Sequence, residues 1–313
     1  MFGNNSDGVA GMSRFLYFYG MKKQIKGIFI LAALLLSPGL FASAQNKSSN
    51  QNNPAEWSKP FPPFRIAGNL YYVGTYDLAC YLITTTNGHI LINTGLSNSA
   101  SIIESNVKSL GFNNKDIKIL LTTQAHFDHL GAMAEIKKET GAKMMIDAAD
   151  ADVLADGGQS DYALGGGNNS FEPLKPDRLL HDGDSIKLGN MNLVLLHHPG
   201  HTKGSCSFLF DVKDKSQTYR VLIANMPSIV TQQKFQDITT YPNIVADYTN
   251  TFQSLRKQSF DLWLSSHASQ FGLHEKHKPG DAYNPKVFID RPGYDQVLAD
   301  LEDAFRKKLK AEQ

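Results

Sequence analysis

Apolar residues recur along this chain in two rhythms, and the switches between them mark out its elements. "NLYYVG" (69–74) and "CYLITTTNGHILINTG" (80–95) are rich in β-branched and aromatic residues. The second run turns about Asn87-Gly88, the strongest short-range hairpin signal. "SASIIESNVKSLG" (99–111) changes period: Ile102, Ile103, Val107 and Leu110 have helical spacing, and Gly111 suits a C-cap. "DIKILLTT" then reads as a short buried strand, "GAMAEIKKETG" as a helix stopping at Gly141, "AKMMID" as a strand and "AADADVLADGG" as a short helix with its exit.

Beyond Gly165-Gly166-Gly167, which reads as a flexible connection, the same grammar returns. "DSIKLGNMNLVLLHH" is a hairpin about Gly189-Asn190, and "GSCSFLFDV" and "YRVLIAN" are further strands. "ADYTNTFQSLRKQ" is a helix, "FDLWLSSH" a buried strand ending in histidine, and "YDQVLADLEDAFRKKLK" a closing helix. Strand pairs come first in each half and α/β units follow. The arrangement that buries all these faces is α/β: two mixed sheets packed together with helices outside, a four-layer αββα sandwich in a single domain over 61–313.

Composition fits such a domain, since 42% of 313 residues are hydrophobic. A formal net charge of +1 gives no electrostatic case for nucleic acid. The N-terminus adds a location. Lys22, Lys23 and Lys26 precede the apolar run Gly27 to Leu36, and Ala42-Ser43-Ala44 offers an A-x-A cleavage site before Gln45. That run is too short to span a bilayer, and no cysteine near the cleavage point could take a lipid. The expectation is extra upstream sequence over 1–20, a signal peptide over 21–44, a poorly ordered polar leader over 45–60, and a periplasmic monomer with no stable membrane anchor. Cys80 and Cys206 sit in strand-like apolar runs and are read as buried free thiols rather than a disulfide.

The chemistry concentrates where "DIKILLTT" ends. "TTQAHFDHLG" places His126, Asp128 and His129 at a strand terminus, and this spacing serves two adjacent metal ions better than one. His201 lies in the glycine- and proline-punctuated loop "HHPGHTKGS", and His267 directly follows a buried strand. A sandwich would gather all of these at one edge of its two sheets. His197 and His198 read as structural or supporting residues, His274 and His277 as part of a solvated loop, and His89 and His181 as surface positions at turns.

H-x-D-H after a strand, G-H-T-x-G-S further on and a late histidine after a buried strand resemble the metallo-β-lactamase superfamily. Asp128 and His129 with His267 resemble its subclass B3, and Q-x-H-x-D-H resembles the GOB-type branch of that subclass, as do "FRIAGNLYYVGTYDLA", "GHTKGSCSF" and "ANMPS". The resemblance implies zinc, one or two ions per chain. Gln124, His126 and His201 would line the first site, and Asp128, His129 and His267 the second. A glutamine amide oxygen is a weaker zinc ligand than imidazole, so the second site is expected to be the tighter. The implied activity is hydrolysis of the β-lactam amide bond of penicillins, cephalosporins and carbapenems, with Asp128 orienting the nucleophile and Ser228 contacting the substrate carboxylate. Met226 stands where most of the subclass has another serine, and Lys203 is a possible electrostatic aid. Two other readings remain. A lactonase or thioesterase of the same fold would use a bridging aspartate where this chain has Asn225. A secreted zinc-binding protein without catalysis would not need Asp128, His129 and His267 as a full set.

Overall fold

The computed structural model describes residues 53–312. The segments read as upstream sequence and signal peptide lie outside the described residues. Within the stretch expected to be a leader, Ala55–Trp57 already forms a turn of 3-10 helix, and the Trp57 indole N–H donates to Asp77.

The first half forms β1 (Phe64–Ala67), β2 (Leu70–Tyr72), β3 (Tyr81–Thr85), β4 (Gly88–Ile92), α1 (Ala100–Ser109), β5 (Ile117–Leu121), α2 (Phe127–Leu130), α3 (Met133–Thr140), β6 (Lys143–Asp147), α4 (Ala151–Ala155) and β7 (Arg178–Leu180). Its strands make one seven-stranded sheet in chain order, antiparallel from β1 to β4 and parallel from β4 to β7. The second half forms β8 (Ser185–Leu188), β9 (Met191–His197), β10 (Cys206–Asp214), β11 (Gln217–Ala224), α5 (Ile244–Lys257), β12 (Leu262–Ser265), α6 (Leu273–Lys276) and α7 (Arg291–Glu312). Its five strands lie in the order β12-β11-β10-β9-β8, with β12 parallel to β11.

Alternation within the strands builds the four layers. In the first sheet Leu82, Leu91, Leu120 and Met144 stand in register on one face, packed with Ile103 and Val107 of α1 and Met133 and Ile136 of α3. Ile83, Ile90 and Ile119 form the opposite row and join the core shared with the second sheet. In the second sheet Leu195, Phe208, Ile223 and Leu264 stand in register in that core. Trp263 points the other way and meets Tyr294 of α7 at 5.3 Å between ring centroids. Helix α5 buries Ile244, Tyr248, Thr251, Phe252 and Leu255, a spacing that keeps one face inward. Tyr248 and Phe252 stack around Phe305 of α7. The expected sandwich is therefore present.

Several local expectations shift. The first hairpin closes through Thr86-Asn87, and Gly88 is the first residue of β4 at φ +114°, a backbone conformation that favours glycine. β1 and β7 lie at the sheet's two edges in short runs with little apolar alternation, so their pattern is weak. Gly165 makes a close approach: a Cβ there would meet the carbonyl oxygens of Asp161 at 2.3 Å and Gln159 at 2.4 Å, so the loop closes only around a glycine. His89 is buried edge-on to Phe112, and His274 and His277 stack on Tyr76 and Phe64, instead of facing solvent. Cys80 and Cys206 are both free and buried. No helix among the described residues is long and apolar enough to cross a membrane.

Phe208 fills the space between the sheets, whereas Leu179 on edge strand β7 is 46% exposed. Phe208→Ala should lower stability by about 3–5 kcal/mol. Leu179→Ala should change it by less than about 0.5 kcal/mol. The two urea unfolding midpoints check this.

Candidate metal centre

β5 and β12 are each parallel to a neighbouring strand and deliver their C-terminal ends to the same place. Thr123 Oγ and Ser266 Oγ lie 2.9 Å apart across the gap between the sheets. Asn93, at φ +62°, brings its amide oxygen to the Thr123 N–H at 3.0 Å and fixes the exit of β5. From there the chain bends over residues 123–126, with His126 itself extended at ψ 155°, then turns at once into α2, where the amides of His129 and Leu130 donate to the His126 carbonyl. That switch puts Asp128 and His129 on the first helical turn while Gln124 and His126 remain on the strand exit.

Asp128, His129 and His267 converge, with their ligand atoms all within 4.8 Å of one another. Asp128 Oδ2 lies 3.3 Å from Nε2 of His129 and 3.3 Å from Nε2 of His267. Burial opposes charge on Asp128, but the two imidazoles outweigh it and hold the carboxyl well below its usual range. Burial pushes His129 down, with the Asp128 charge opposing it. His267 is also buried, yet Asp128 and Asp77 together raise it to about 9. Behind the ring, His267 Nδ1 donates to Asp77 Oδ2 at 3.1 Å, and the Ser269 amide donates to Asp77 Oδ1 at 2.9 Å. Trp57 covers the same ring at 5.5 Å between centroids.

On the other side, the rings of His126 and His201 stand 4.9 Å apart. His201 Nδ1 lies 2.8 Å from the Ser228 carbonyl. A carbonyl only accepts, so that nitrogen carries the proton and Nε2 keeps its lone pair. Burial, with His126 adding to it, pushes His201 down to about 3, so the ring is neutral at pH 7. His126 faces Asp161, whose Oδ2 is 3.4 Å from Nε2. Gln124 is buried two residues before His126.

The donor atoms carry the clearest signal. Gln124 Oε1, His126 Nε2 and both ring nitrogens of His129 are buried with no hydrogen-bond partner among the described residues. Orphaned polar atoms are costly, and their concentration here fits a group that accepts lone pairs. Nitrogen donors with one carboxylate and one amide oxygen suit zinc.

Residues not singled out in the sequence hold the site. Asp150, fully buried, accepts from the Ala125 amide at 2.9 Å, the Thr202 hydroxyl at 2.6 Å and the Gly204 amide at 2.7 Å. It ties the Gln124–His126 segment to the His201 loop, and burial raises its carboxyl to about 6. A Cβ on Gly204 would meet the Asp150 backbone nitrogen at 2.5 Å, so the glycine of "GHTKGS" permits this contact. Asp77 and Asp150 both sit at turns after extended segments, and only the fold shows which loop each one faces.

Ser228 is half-buried at the His201 loop. Its carbonyl takes the His201 and Tyr248 donors, and its hydroxyl lies 3.1 Å from His201 Nδ1. Lys203 is half-buried with its ammonium 5.8 Å from the Tyr241 ring, and Met226 is buried. His197 pairs with Asp147 at 2.8 Å and His198 bridges Ser207 and Ser254, so neither joins the cluster. Because Asp150 satisfies two buried amides and a hydroxyl, Asp150→Ala should cost about 2–4 kcal/mol in urea unfolding of the metal-free protein.

Known proteins share this architecture. Residues 75–214 match the family model described as the metallo-beta-lactamase superfamily. The solved structure of the class B3 di-zinc metallo-beta-lactamase LRA-12 from an Alaskan soil metagenome is 62% identical, covering 84% of this chain and 99% of its own, at a TM-score of 0.82. That of the metallo-beta-lactamase GOB-18 from Elizabethkingia meningoseptica is 58% identical, covering 86% and 100%, at 0.84. Among curated relatives, the uncharacterized protein YobT of Bacillus subtilis is 32% identical over 44% of this chain, and the hydroxyacylglutathione hydrolase GloC of Haemophilus influenzae 31% over 34%. The chain spans only 59% and 50% of the length of those two. With high identity across nearly the whole of two such structures, the chain belongs to the metallo-β-lactamase superfamily, in its class B3.

Proposed function

We propose that this chain is a zinc-dependent β-lactamase that hydrolyses the amide bond of β-lactam antibiotics and so confers resistance. The observation that carries the proposal is the cluster of buried, unpartnered donors gathered at one edge of the sandwich. Identity to LRA-12 and GOB-18 over nearly their full length supports the substrate class. Gln124, His126 and His201 would hold one ion, and Asp128, His129 and His267 the other. Zinc, when bound, supplies Lewis acidity: it polarises a carbonyl oxygen and lowers the pKa of water to about 7.

The chain's own residues do the rest. Asp128, kept ionised between two imidazoles, orients the attacking water, accepts its proton and passes it to the lactam nitrogen as the C–N bond breaks. Asp77 and the Ser228 carbonyl fix the rings of His267 and His201 through Nδ1, so that Nε2 of each is the nitrogen turned toward the cluster. The Ser228 hydroxyl, 3.1 Å from His201 Nδ1, would meet the substrate carboxylate. No serine nucleophile is required. A thioesterase or lactonase with a bridging aspartate is disfavoured, because Asn225 is buried and its amide accepts from Ser266. Export by the signal over 21–44 and action as a periplasmic monomer complete the proposal.

Loss of carbapenem ring absorbance on mixing with the zinc-loaded protein tests it. Turnover should stop on adding a chelator, and Asp128→Asn should lower kcat by at least about a hundredfold. A folded, zinc-loaded protein that leaves carbapenem, penicillin and cephalosporin intact would refute the proposal.

A further inference from the structure

The loop between α4 and β7 is folded against the back of the Gln124–His126–His201 group. Asp161 lies in it, with a side chain only 3% exposed, and its Oδ2 stands 3.4 Å from Nε2 of His126. Its other oxygen accepts from the amides of Ala163 at 2.9 Å and Leu164 at 2.7 Å, which fixes the carboxylate's direction. The next residue, Tyr162, donates its hydroxyl to the Gly200 carbonyl at 2.9 Å and approaches the His201 carbonyl at 3.2 Å. Consecutive residues of one loop thus brace both histidines of this group. The Gly165 amide donates back to the Asp161 carbonyl, and the Ser170 amide to Gly157, so the loop is closed on itself.

Charge gives the arrangement its meaning. Asp128, His129 and His267 include a carboxylate, and a second one, Asp77, backs His267. Gln124, His126 and His201 bind as three neutral donors, so a divalent ion there would gain no charge from its own ligands. Asp161 is the carboxylate behind one of those ligands. We infer that Asp161 is a positioning residue for the first metal site, braced by Tyr162 and Gly165, and that it places a negative charge beside a ligand set that carries none of its own. The inference rests on assigning Gln124, His126 and His201 to one ion.

Zinc titration of the metal-free protein against a chromophoric chelator tests this without any β-lactam. His201→Ala and His267→Ala identify the two binding transitions. Asp161→Asn keeps the oxygen that accepts from Ala163 and Leu164, so the turn survives; its zinc affinity at the His201-dependent site should fall about 10- to 100-fold, with the His267-dependent site changed by less than about threefold. Gly165→Ala, whose Cβ would displace the Asp161 carbonyl, should weaken the same transition, and Asp77→Asn should weaken the other. Unchanged affinity at the His201-dependent site in both loop variants would overturn the inference, as would an equal loss at both sites. Intact zinc binding without turnover would instead refute the β-lactamase proposal and leave this one standing.

Discussion

A carboxylate oxygen of Asp128 sits 3.3 Å from two imidazole nitrogens, one on the next residue, His129, and one on His267 in the other half of the sandwich, and the groups are largely withdrawn from water. That contact sets the terms for the rest of the molecule. Burying such a group is unfavourable unless every member is held and charge is balanced. The two sheets must therefore bring the ends of β5 and β12 to the same edge, which their parallel pairings with neighbours achieve. Leu78 then bridges to His267, locking the second loop against the first sheet.

A buried polar ladder carries the same constraint across the sandwich. Asn93 holds Thr123, Thr123 meets Ser266, Ser266 donates to the side-chain oxygen of Asn225, the Asn225 backbone N–H donates to Ser207, and Ser207 meets His198. Each member adjoins a segment that carries a candidate ligand. Burial pushes His198 down to about 4, so it is a neutral linker between two serine hydroxyls and not a charge carrier. In a low-dielectric interior such a chain specifies one arrangement, because any slip leaves polar groups unpaired.

Much of this was legible in the sequence, for identifiable reasons. The buried strands and amphipathic helices repeat at the periods that packing demands, so α1, β5, α3, β6, α5 and α7 fall where the pattern puts them. His126, Asp128, His129, His201 and His267 could be picked out because each follows a strand and because imidazole is costly to bury without a purpose. Asp77, Asp150 and Asp161 could not. They lie in ordinary turn-like runs, and their value comes from contacts to residues 190, 52 and 35 positions away in the chain. Gly165 shows a related limit: a close approach and a flexible connection are written with the same residue, and only the fold separates them. Trp57 was hidden by the polar run before it.

The central claim is that the orphaned donors exist to bind metal ions. An anomalous difference map at the zinc absorption edge, from crystals of zinc-loaded protein, tests it most directly. The account predicts a peak about 2.0–2.2 Å from a nitrogen of His129, a nitrogen of His267 and a carboxylate oxygen of Asp128. A weaker second peak should lie among Gln124, His126 and His201. Zinc bound only at exposed histidines such as His181, with the buried cluster empty, would contradict it.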